Sequence, residues 1–179
     1  MAAFTTDAEL NADLDFRLMA NTFVTLFRRQ NLLEECTTWL DKHGYQVTSL
    51  DAAAWSSEGD LLRSIGAALD FPDYYGRSLD AFNDCFGDVA SYASYGIAPE
   101  ATGLVLVFTD FDTFAAAHPE SAQTVLDIIA DNARRAALFG RRVMCLVHSS
   151  DPQIEFAPIG AMSVMWNDTE GLDASRRAD

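Results

Sequence analysis

Three aspartates stand four residues apart, at Asp80, Asp84 and Asp88, and this spacing would hold a row of carboxylates on one side of a helix. At 100° per residue, the apolar residues of the same segment gather on the opposite side: Leu79, Phe82, Cys85, Phe86 and Val89. Like charges at this spacing destabilise a helix by about 0.2 to 0.5 kcal/mol per pair, and Asp is a poorer helix former than Glu. A face kept at that cost favours a role in binding, and an ordinary acidic surface is the alternative.

Such carboxylates can bind a hard metal ion such as Mg²⁺ or the basic groups of another molecule. The rest of a metal enzyme does not accompany them, because His43, His118 and His148 are isolated and no second carboxylate motif is present. Cys145 and His148 lie three apart in a predicted strand, where alternation points them to opposite faces. The sequence also has no phosphate-binding glycine loop. We therefore expect no catalytic residues, no metal site and no cofactor.

The charge of the chain is strongly negative. Its 179 residues include 12 basic and 27 acidic residues, which give a net charge of −15. No Lys or Arg lies between Arg77 and Arg134, and acidic residues recur through that stretch: Asp80, Asp84, Asp88, Glu100, Asp110, Asp112, Glu120, Asp127 and Asp131. Such a charge disfavours binding to nucleic acid or to an anionic membrane, and it predicts a basic partner. Acidity that only keeps the protein soluble is the alternative.

The elements that must position the acidic helix follow an α/β pattern. Near-continuous apolar runs at 104–108 and 143–147 are typical of strands buried on both faces of a parallel sheet, and 45–50 also predicts a strand. Ser57 and Asp60 resemble a capping box that begins one helix, whereas Pro119 and Gly140 bound another. This order predicts right-handed crossovers and a small parallel sheet flanked by helices.

The two ends of the chain are predicted to add further elements to this core. Residues 15–19 and 22–27 are short β-prone runs that could form a hairpin around Ala20 and Asn21, and a helix that ends at Gly44 follows. Beyond the core, 163–166 is a possible strand and 173–179 a frayed tail. We divide the chain into an N-terminal extension, 1–44, packed on the core, the core itself, 45–150, and a C-terminal extension, 151–179.

The cysteines and the N-terminal residues indicate a compartment. Cys36, Cys85 and Cys145 each lie in an apolar periodic segment without metal-site spacing, which predicts reduced core residues. Acidic residues such as Asp7 and Glu9 stand where a signal peptide needs a basic start. No apolar run approaches the ~20 residues of a membrane span. We expect a cytoplasmic protein that does not bind membranes.

One continuous run of mixed chemistry resembles the signature of the barstar family of ribonuclease inhibitors. It reads Leu69-Asp70-Phe71-Pro72-Asp73-Tyr74-Tyr75-Gly76-Arg77-Ser78-Leu79-Asp80-Ala81-Phe82-Asn83-Asp84-Cys85-Phe86. The likeness continues through the later strands and covers roughly residues 45 to 150. It implies a barstar-like parallel sheet flanked by helices and a protein that is not an enzyme.

What the resemblance implies for function is inhibition by occupation of an active site. The acidic second helix and the loop before it would fill the basic cleft of a ribonuclease in a 1:1 complex, with carboxylates in place of the phosphate that Lys, Arg and His hold. The standard example in this family is the complex with barnase. In that complex, association is steered by electrostatic attraction, and one carboxylate contributes a dominant share of the binding energy.

The resemblance also implies roles for particular residues. Asp84 would be the central carboxylate, aimed at the arginines and histidine of the phosphate site, and Asp80 would pair with a further basic group. Tyr74 would supply an aromatic contact, Leu79 a contact at the helix start, and Asp131 an acidic contact from the later helix. The expected partner-binding residues are Tyr74, Ser78, Leu79, Asp80, Asn83, Asp84, Asp88 and Asp131.

Two departures from the family leave the identity of the partner open. Asn83 stands where the best-known member has tryptophan, and Ser78 where it has asparagine. Asp131 has Arg134 and Arg135 one turn onward, so a surface ion pair is an equal alternative to a partner contact. A regulatory or scaffolding module that binds a basic non-nuclease protein is therefore the second functional hypothesis, and a Mg²⁺-dependent hydrolase is the third.

The loop before the acidic helix gives two further expectations. We expect Tyr75 to be buried and Tyr74 to face the partner. Gly76 is expected to supply a backbone conformation that a side chain would oppose.

Overall fold

The described part of the chain forms a five-stranded sheet that is parallel throughout. In the computed structural model, which describes residues 13–20, 22–91 and 95–177, the strands lie in the order β2-β3-β4-β1-β5, and every neighbouring pair is parallel. Their bounds are β1 Val24–Phe27, β2 Tyr45–Asp51, β3 Gly103–Thr109, β4 Val143–His148 and β5 Met165–Trp166. The predicted fold class, a parallel α/β sheet flanked by helices, is confirmed.

Helices cover both faces of this sheet. Their bounds are α1 Leu14–Met19, α2 Gln30–Lys42, α3 Glu58–Ala68, α4 Leu79–Ser91, α5 Phe111–Ala117, α6 Pro119–Leu138 and α7 Asp173–Arg177, with a 3-10 turn at Ala52–Ala54. Helices α1 and α2 pack on the face that carries Val105 and Val107, whereas α3 to α6 pack on the face that carries Leu104 and Leu106. Since strand side chains alternate between faces, β3 is buried on both sides, as its apolar run predicted.

The predicted helix boundaries depend on local chemistry that the structure confirms. The Oγ of Ser57 accepts a hydrogen bond from the backbone N–H of Asp60 at 3.2 Å, while Ser57 donates to the Asp60 carboxylate at 2.9 Å. Pro119 occupies the first turn of α6. Gly44 and Gly140 follow α2 and α6 with φ of 82° and 75°, the left-handed conformation that ends helices.

The predicted N-terminal hairpin is wrong. Residues 14–19 form helix α1, and β1 runs parallel to β4 and β5. Leu14 and Leu18, one helical turn apart, both pack toward α2, and Asp15 lies in the first turn, where a negative charge is favourable. The crossover through α2 then brings the chain back parallel to β1. Asn21, in the supposed turn, lies outside the described residues.

The C-terminal segment contains a short helix that the sequence did not predict. Residues 173–177 form α7, and Arg176 in this helix stacks over the Trp166 ring at 4.8 Å while its Nε donates to the Pro152 carbonyl at 3.0 Å. The predicted strand at 163–166 is present as the shorter β5. Residues 178–179 lie outside the described part of the chain.

A buried carboxylate joins the two ends of the chain. Glu170 is 0% exposed, and its oxygens accept hydrogen bonds from the backbone N–H groups of Arg28 and Arg29 at 2.8 and 3.0 Å. The Nε of Arg29 and the Nδ2 of Asn167 also donate to it, at 3.0 and 2.5 Å. Burial alone would raise the pKa of Glu170, but these hydrogen bonds outweigh it and lower the pKa.

Candidate partner-binding surface

Helix α4 begins at a serine cap. The Oγ of Ser78 accepts a hydrogen bond from the backbone N–H of Ala81 at 3.2 Å, and its carbonyl accepts from Phe82 at 2.8 Å. These are the bonds of an N-cap, so Ser78 fixes the point at which the helix starts. Its side chain is exposed, but its oxygen is already engaged.

The apolar side of α4 lies in the core. Phe82, Cys85, Phe86 and Val89 are buried, and Leu79 is partly buried against the same cluster. This confirms the predicted orientation of the helix. Because Phe82 and Phe86 are fully buried, this side of the helix is anchored in the core and the other side faces outward.

The three aspartates of the outer side have different surroundings. The carboxylates of Asp80 and Asp84 are exposed, and neither carboxylate makes a hydrogen bond or ion pair with another described residue. Asp88 is exposed too, but it accepts a hydrogen bond from the hydroxyl of Tyr95 at 3.2 Å. Burial first, and then the charge of Asp88, raise the pKa of Tyr95, so Tyr95 stays protonated and keeps donating. The predicted row is therefore divided into two free carboxylates and one that is bound within the chain.

The row also affects a neighbouring thiol. Cys85 lies beneath the aspartates, and its pKa is raised by burial and further by the charges of Asp88 and Asp84. The thiols of Cys36, Cys85 and Cys145 are free and buried, as predicted.

The two adjacent tyrosines of the loop before α4 point in different directions. Tyr74 is 75% exposed, the largest exposure of any aromatic side chain in the described ranges. Tyr75 packs edge-on against Phe71 at 4.9 Å between ring centroids, and its hydroxyl donates to the Leu62 carbonyl at 3.3 Å. Burial raises the pKa of Tyr75 to about 12. Tyr75 packs inward but is only partly buried, and Tyr74 is exposed; the contact of Tyr74 with a partner stays a prediction.

The expectation for Gly76 is wrong, because a neighbouring residue adopts the unusual conformation. Arg77 has a φ of 52°, whereas Gly76 is not in the left-handed region, and a Cβ there would meet Ala81 at an ordinary 3.7 Å. The glycine that the loop does require is Gly66 in α3. A Cβ at Gly66 would lie 2.7 Å from the Tyr75 ring. A glycine inside a predicted helix was the signal for this close approach.

Helix α6 binds the middle of the acidic helix through two asparagines. The Nδ2 of Asn132 donates to the Oδ1 of Asn83 at 3.0 Å and to the Ile128 carbonyl at 2.9 Å. Asn132 is 1% exposed, and its Oδ1 has no hydrogen-bond partner among the described residues. Asn83 thus joins the two helices. The signal that sequence reasoning missed is a polar residue at a core position of α6.

Asp131 is paired within its own helix. The Nη1 of Arg134 lies 2.9 Å from the Oδ1 of Asp131, and the Nη2 of Arg134 donates to the carbonyl of Gly160 in the C-terminal segment. Of the two alternatives for Asp131, the surface ion pair with Arg134 is present in the structure. A partner contact at Asp131 stays a prediction.

The described ranges contain no group of three or more His, Cys, Asp or Glu side chains placed to hold a metal ion. Among the helices in these ranges, none is long and apolar enough to cross a membrane.

Fold and surface together define a class of small α/β protein that presents a rigid acidic helix and an aromatic loop. A family model described as Barstar (barnase inhibitor) matches residues 45–148, more than half of the chain, and the chain belongs to the barstar family. Comparison with curated proteins gives no match.

The family match divides the sheet. Residues 45–148 contain β2, β3 and β4 with helices α3 to α6, so the matched region includes the acidic helix and the loop before it. The flanking segments supply β1 and β5, which continue the sheet beyond β4. The division into an N-terminal extension, a core and a C-terminal extension as separate units stays a prediction.

Proposed function

We propose that this protein inhibits a ribonuclease by filling its basic active site with α4 and the loop before it, and that it acts by binding and not by catalysis. One observation carries the proposal. Asp80 and Asp84 lie one turn apart on a helix held by a buried apolar face, exposed and without a hydrogen-bond or ion-pair partner in the described chain. Tyr74 stands exposed at the end of the loop that leads into this helix.

The chemistry of a ribonuclease site fits these carboxylates. An enzyme that cleaves RNA holds a phosphate with Lys, Arg and His, and a guanidinium group binds a carboxylate through paired, charge-assisted hydrogen bonds. Because α4 is anchored by the buried Phe82 and Phe86, little backbone freedom is lost when Asp84 enters such a site. Rigid carboxylates can therefore occupy the position of the phosphate.

The internal contacts rank the expected partner-binding residues. The side chains of Asp80, Asp84 and Tyr74 can bind without breaking a hydrogen bond or ion pair within the described chain. Asp88 and Asp131 must give up or share a hydrogen bond with Tyr95 or Arg134. A second set is committed to the fold and serves the surface by positioning it: Ser78 as a cap, Asn83 as a tie to α6, and Leu79 against the core.

The overall charge supports rapid association with a basic enzyme. A net charge of −15 attracts a cationic partner over a Debye length of about 10 Å at 0.1 M salt, and this attraction weakens as salt is added. We propose a 1:1 complex formed in the cytoplasm of a cell that makes the ribonuclease, where the inhibitor would neutralise a toxic enzyme. Three free, buried cysteines support a reducing compartment.

An inhibition assay tests this function. RNA cleavage by barnase, and by a panel of other small basic microbial ribonucleases, is measured with increasing amounts of the protein at low and high salt. We expect stoichiometric inhibition of at least one enzyme, and slower association at high salt. The double variant Asp80→Asn, Asp84→Asn should lose inhibition.

The matched control is the double variant Glu35→Gln, Asp41→Asn, which removes the same charge from exposed positions on α2, on the opposite face of the sheet. It should inhibit as well as the parent. Failure to inhibit any enzyme of the panel contradicts the proposal.

A second candidate function is favoured by the internal use of Asn83 and Ser78, the two departures from the best-known member. Both side chains are engaged within the protein, so the surface differs at the start and in the middle of the helix from a surface that presents both side chains to a nuclease. A barstar-like regulatory module would bind a basic protein through Asp80 and Asp84 without blocking RNA cleavage. Binding without inhibition in the same assay supports this candidate.

A further inference from the structure

We propose that the C-terminal segment tunes the acidic surface by holding Arg134 against Asp131, so that the α6 edge of the surface attracts a basic partner less strongly than its sequence suggests. The inference rests on the proposed function, because it concerns which partners that surface accepts. Its parts are Asp131, Arg134 and the Gly160 turn, defined as residues 159–162.

The Gly160 turn is fixed on α6. It is closed by two backbone hydrogen bonds between Ile159 and Met162, at 2.7 and 3.1 Å, and Ile159 is 0% exposed. The backbone N–H of Gly160 donates to the carboxylate of Asp127 at 2.5 Å. The carbonyl of Gly160 therefore has a defined position beside the helix.

Arg134 connects this turn to the candidate binding surface. Its Nη2 donates to the Gly160 carbonyl and its Nη1 lies 2.9 Å from the Oδ1 of Asp131. An exposed ion pair between neighbouring helical residues normally contributes little, because two long side chains must be ordered for one contact. Here the Gly160 carbonyl already orders the planar guanidinium, so less freedom is lost when Asp131 is paired.

The shape of the turn is matched to this arginine. Gly160 has a φ of 55°, which side chains oppose, and a Cβ at that position would lie 2.7 Å from the Nη2 of Arg134. A residue other than glycine would strain the backbone and displace the guanidinium.

The consequence is a graded surface. Asp80 and Asp84 present full negative charges, whereas the charge of Asp131 is compensated although 66% of its side chain is exposed. A ribonuclease with a basic group opposite Asp131 must compete with Arg134, and one with a neutral or acidic group there meets no penalty. Arg134, inside the matched region, and the Gly160 turn, outside it, thus act together as a specificity determinant.

The test uses two probes, a hexaarginine peptide and barnase, and the full-length chain. Binding of hexaarginine is followed by NMR chemical shifts of the backbone amides, and association with barnase by stopped flow, both at low salt. Arg134→Gln should raise the affinity for hexaarginine and the association rate with barnase about two- to fivefold, and extend the shifts to Asp131. The gain should vanish at about 0.5 M salt.

Three further variants separate position from net charge. Arg177→Gln removes the same charge from a local pair with Asp173 on α7, near the edge strand β5, and should change neither readout. Arg134→Lys keeps the charge but cannot bridge both partners as a planar fork, and should give an intermediate gain. Adding Asp131→Asn to Arg134→Gln should abolish the gain.

Two results overturn the inference. In the first, Arg134→Gln leaves the affinity for hexaarginine unchanged. In the second, Arg177→Gln raises the affinity for hexaarginine as much as Arg134→Gln does. Failure of the proposed function is distinguishable, because it leaves the hexaarginine result intact while no ribonuclease is inhibited.

Discussion

Asp84 on α4 and Glu170 after β5 are both carboxylates, yet their surroundings are opposite. Glu170 is 0% exposed and accepts hydrogen bonds from two backbone N–H groups, an arginine and an asparagine. The carboxylate of Asp84 is exposed and accepts no hydrogen bond from another described residue. Glu170 therefore stabilises the fold, whereas the hydrogen-bonding capacity of Asp84 is left for another molecule. Exposure and partners, and not residue type, distinguish a structural acid from a binding one.

The largest expected effect is on binding. Asp84→Ala should weaken the complex with an inhibited ribonuclease by about 3 to 5 kcal/mol, because it leaves cations of the partner buried without a counter-charge. The free energy of unfolding should stay the same or rise, since one repulsive contact with Asp80 and one with Asp88 are removed. Titration calorimetry and urea unfolding measure the two quantities. If the variant bound as tightly as the parent, Asp84 would not be a binding carboxylate, and its contrast with the structural Glu170 would be wrong.

The complementary change concerns stability. Glu170→Gln should lower the free energy of unfolding by about 2 to 3 kcal/mol, because donors that served a charged acceptor are left poorly paired inside the protein. Hydrogen exchange should increase mainly in β1 and β5, which the carboxylate joins. Binding through Asp80 and Asp84 should not change. Equal exchange in parent and variant would show that Glu170 does not hold these strands.

A third change acts on the loop that presents Tyr74. Gly66→Ala should cost about 1 to 3 kcal/mol of stability by overpacking, because the new methyl group would displace the Tyr75 ring. Its matched control is Gly59→Ala in the same helix, where the nearest atom lies at 3.6 Å and the gain in helix propensity should stabilise by up to about 1 kcal/mol. Thermal unfolding of both variants measures the difference. A stable Gly66→Ala protein would refute the role given to this glycine.

The adjacent tyrosines sharpen the same comparison at smaller scale. Tyr74→Ala should reduce affinity for an inhibited ribonuclease by about 1 to 2 kcal/mol and leave unfolding unchanged, since its ring contacts little of its own chain. Tyr75→Phe should do the reverse and lower stability by about 0.5 to 1.5 kcal/mol through loss of its hydrogen bond. If the two variants changed the affinity equally, Tyr74 could not be distinguished from Tyr75 as the binding residue.

The smallest expected effect is a pH dependence that follows from Glu170. Its pKa is lowered in the folded protein, so its contribution to stability is complete above the unfolded value of about 4.5 and is lost as pH falls through the folded pKa. The difference in unfolding free energy between the parent and Glu170→Gln should therefore shrink from pH 6 to pH 3. A difference that stays constant over this range would argue against a lowered pKa.

Local periodicity predicted the elements that carry the candidate site. Phe82, Phe86 and Val89 recur at helical spacing, and that spacing by itself places Asp80 and Asp84 on the outer side of α4. The apolar run of β3 likewise predicts a strand covered on both faces. The hairpin failed because a six-residue segment such as α1 has too few residues to show its period.

The sequence by itself determined the charge of the protein, the course of its central elements and the side of α4 that faces water, because each depends on neighbours within a few residues. Only the tertiary structure decided which acids stay free. Tyr95 reaches Asp88 from just beyond the end of α4, whereas Asn132 and the Gly160 turn reach Asn83 and Arg134 from distant positions, and Glu170 meets Arg28 across 142 positions. Such pairings depend on how strands and helices pack, which no local pattern records.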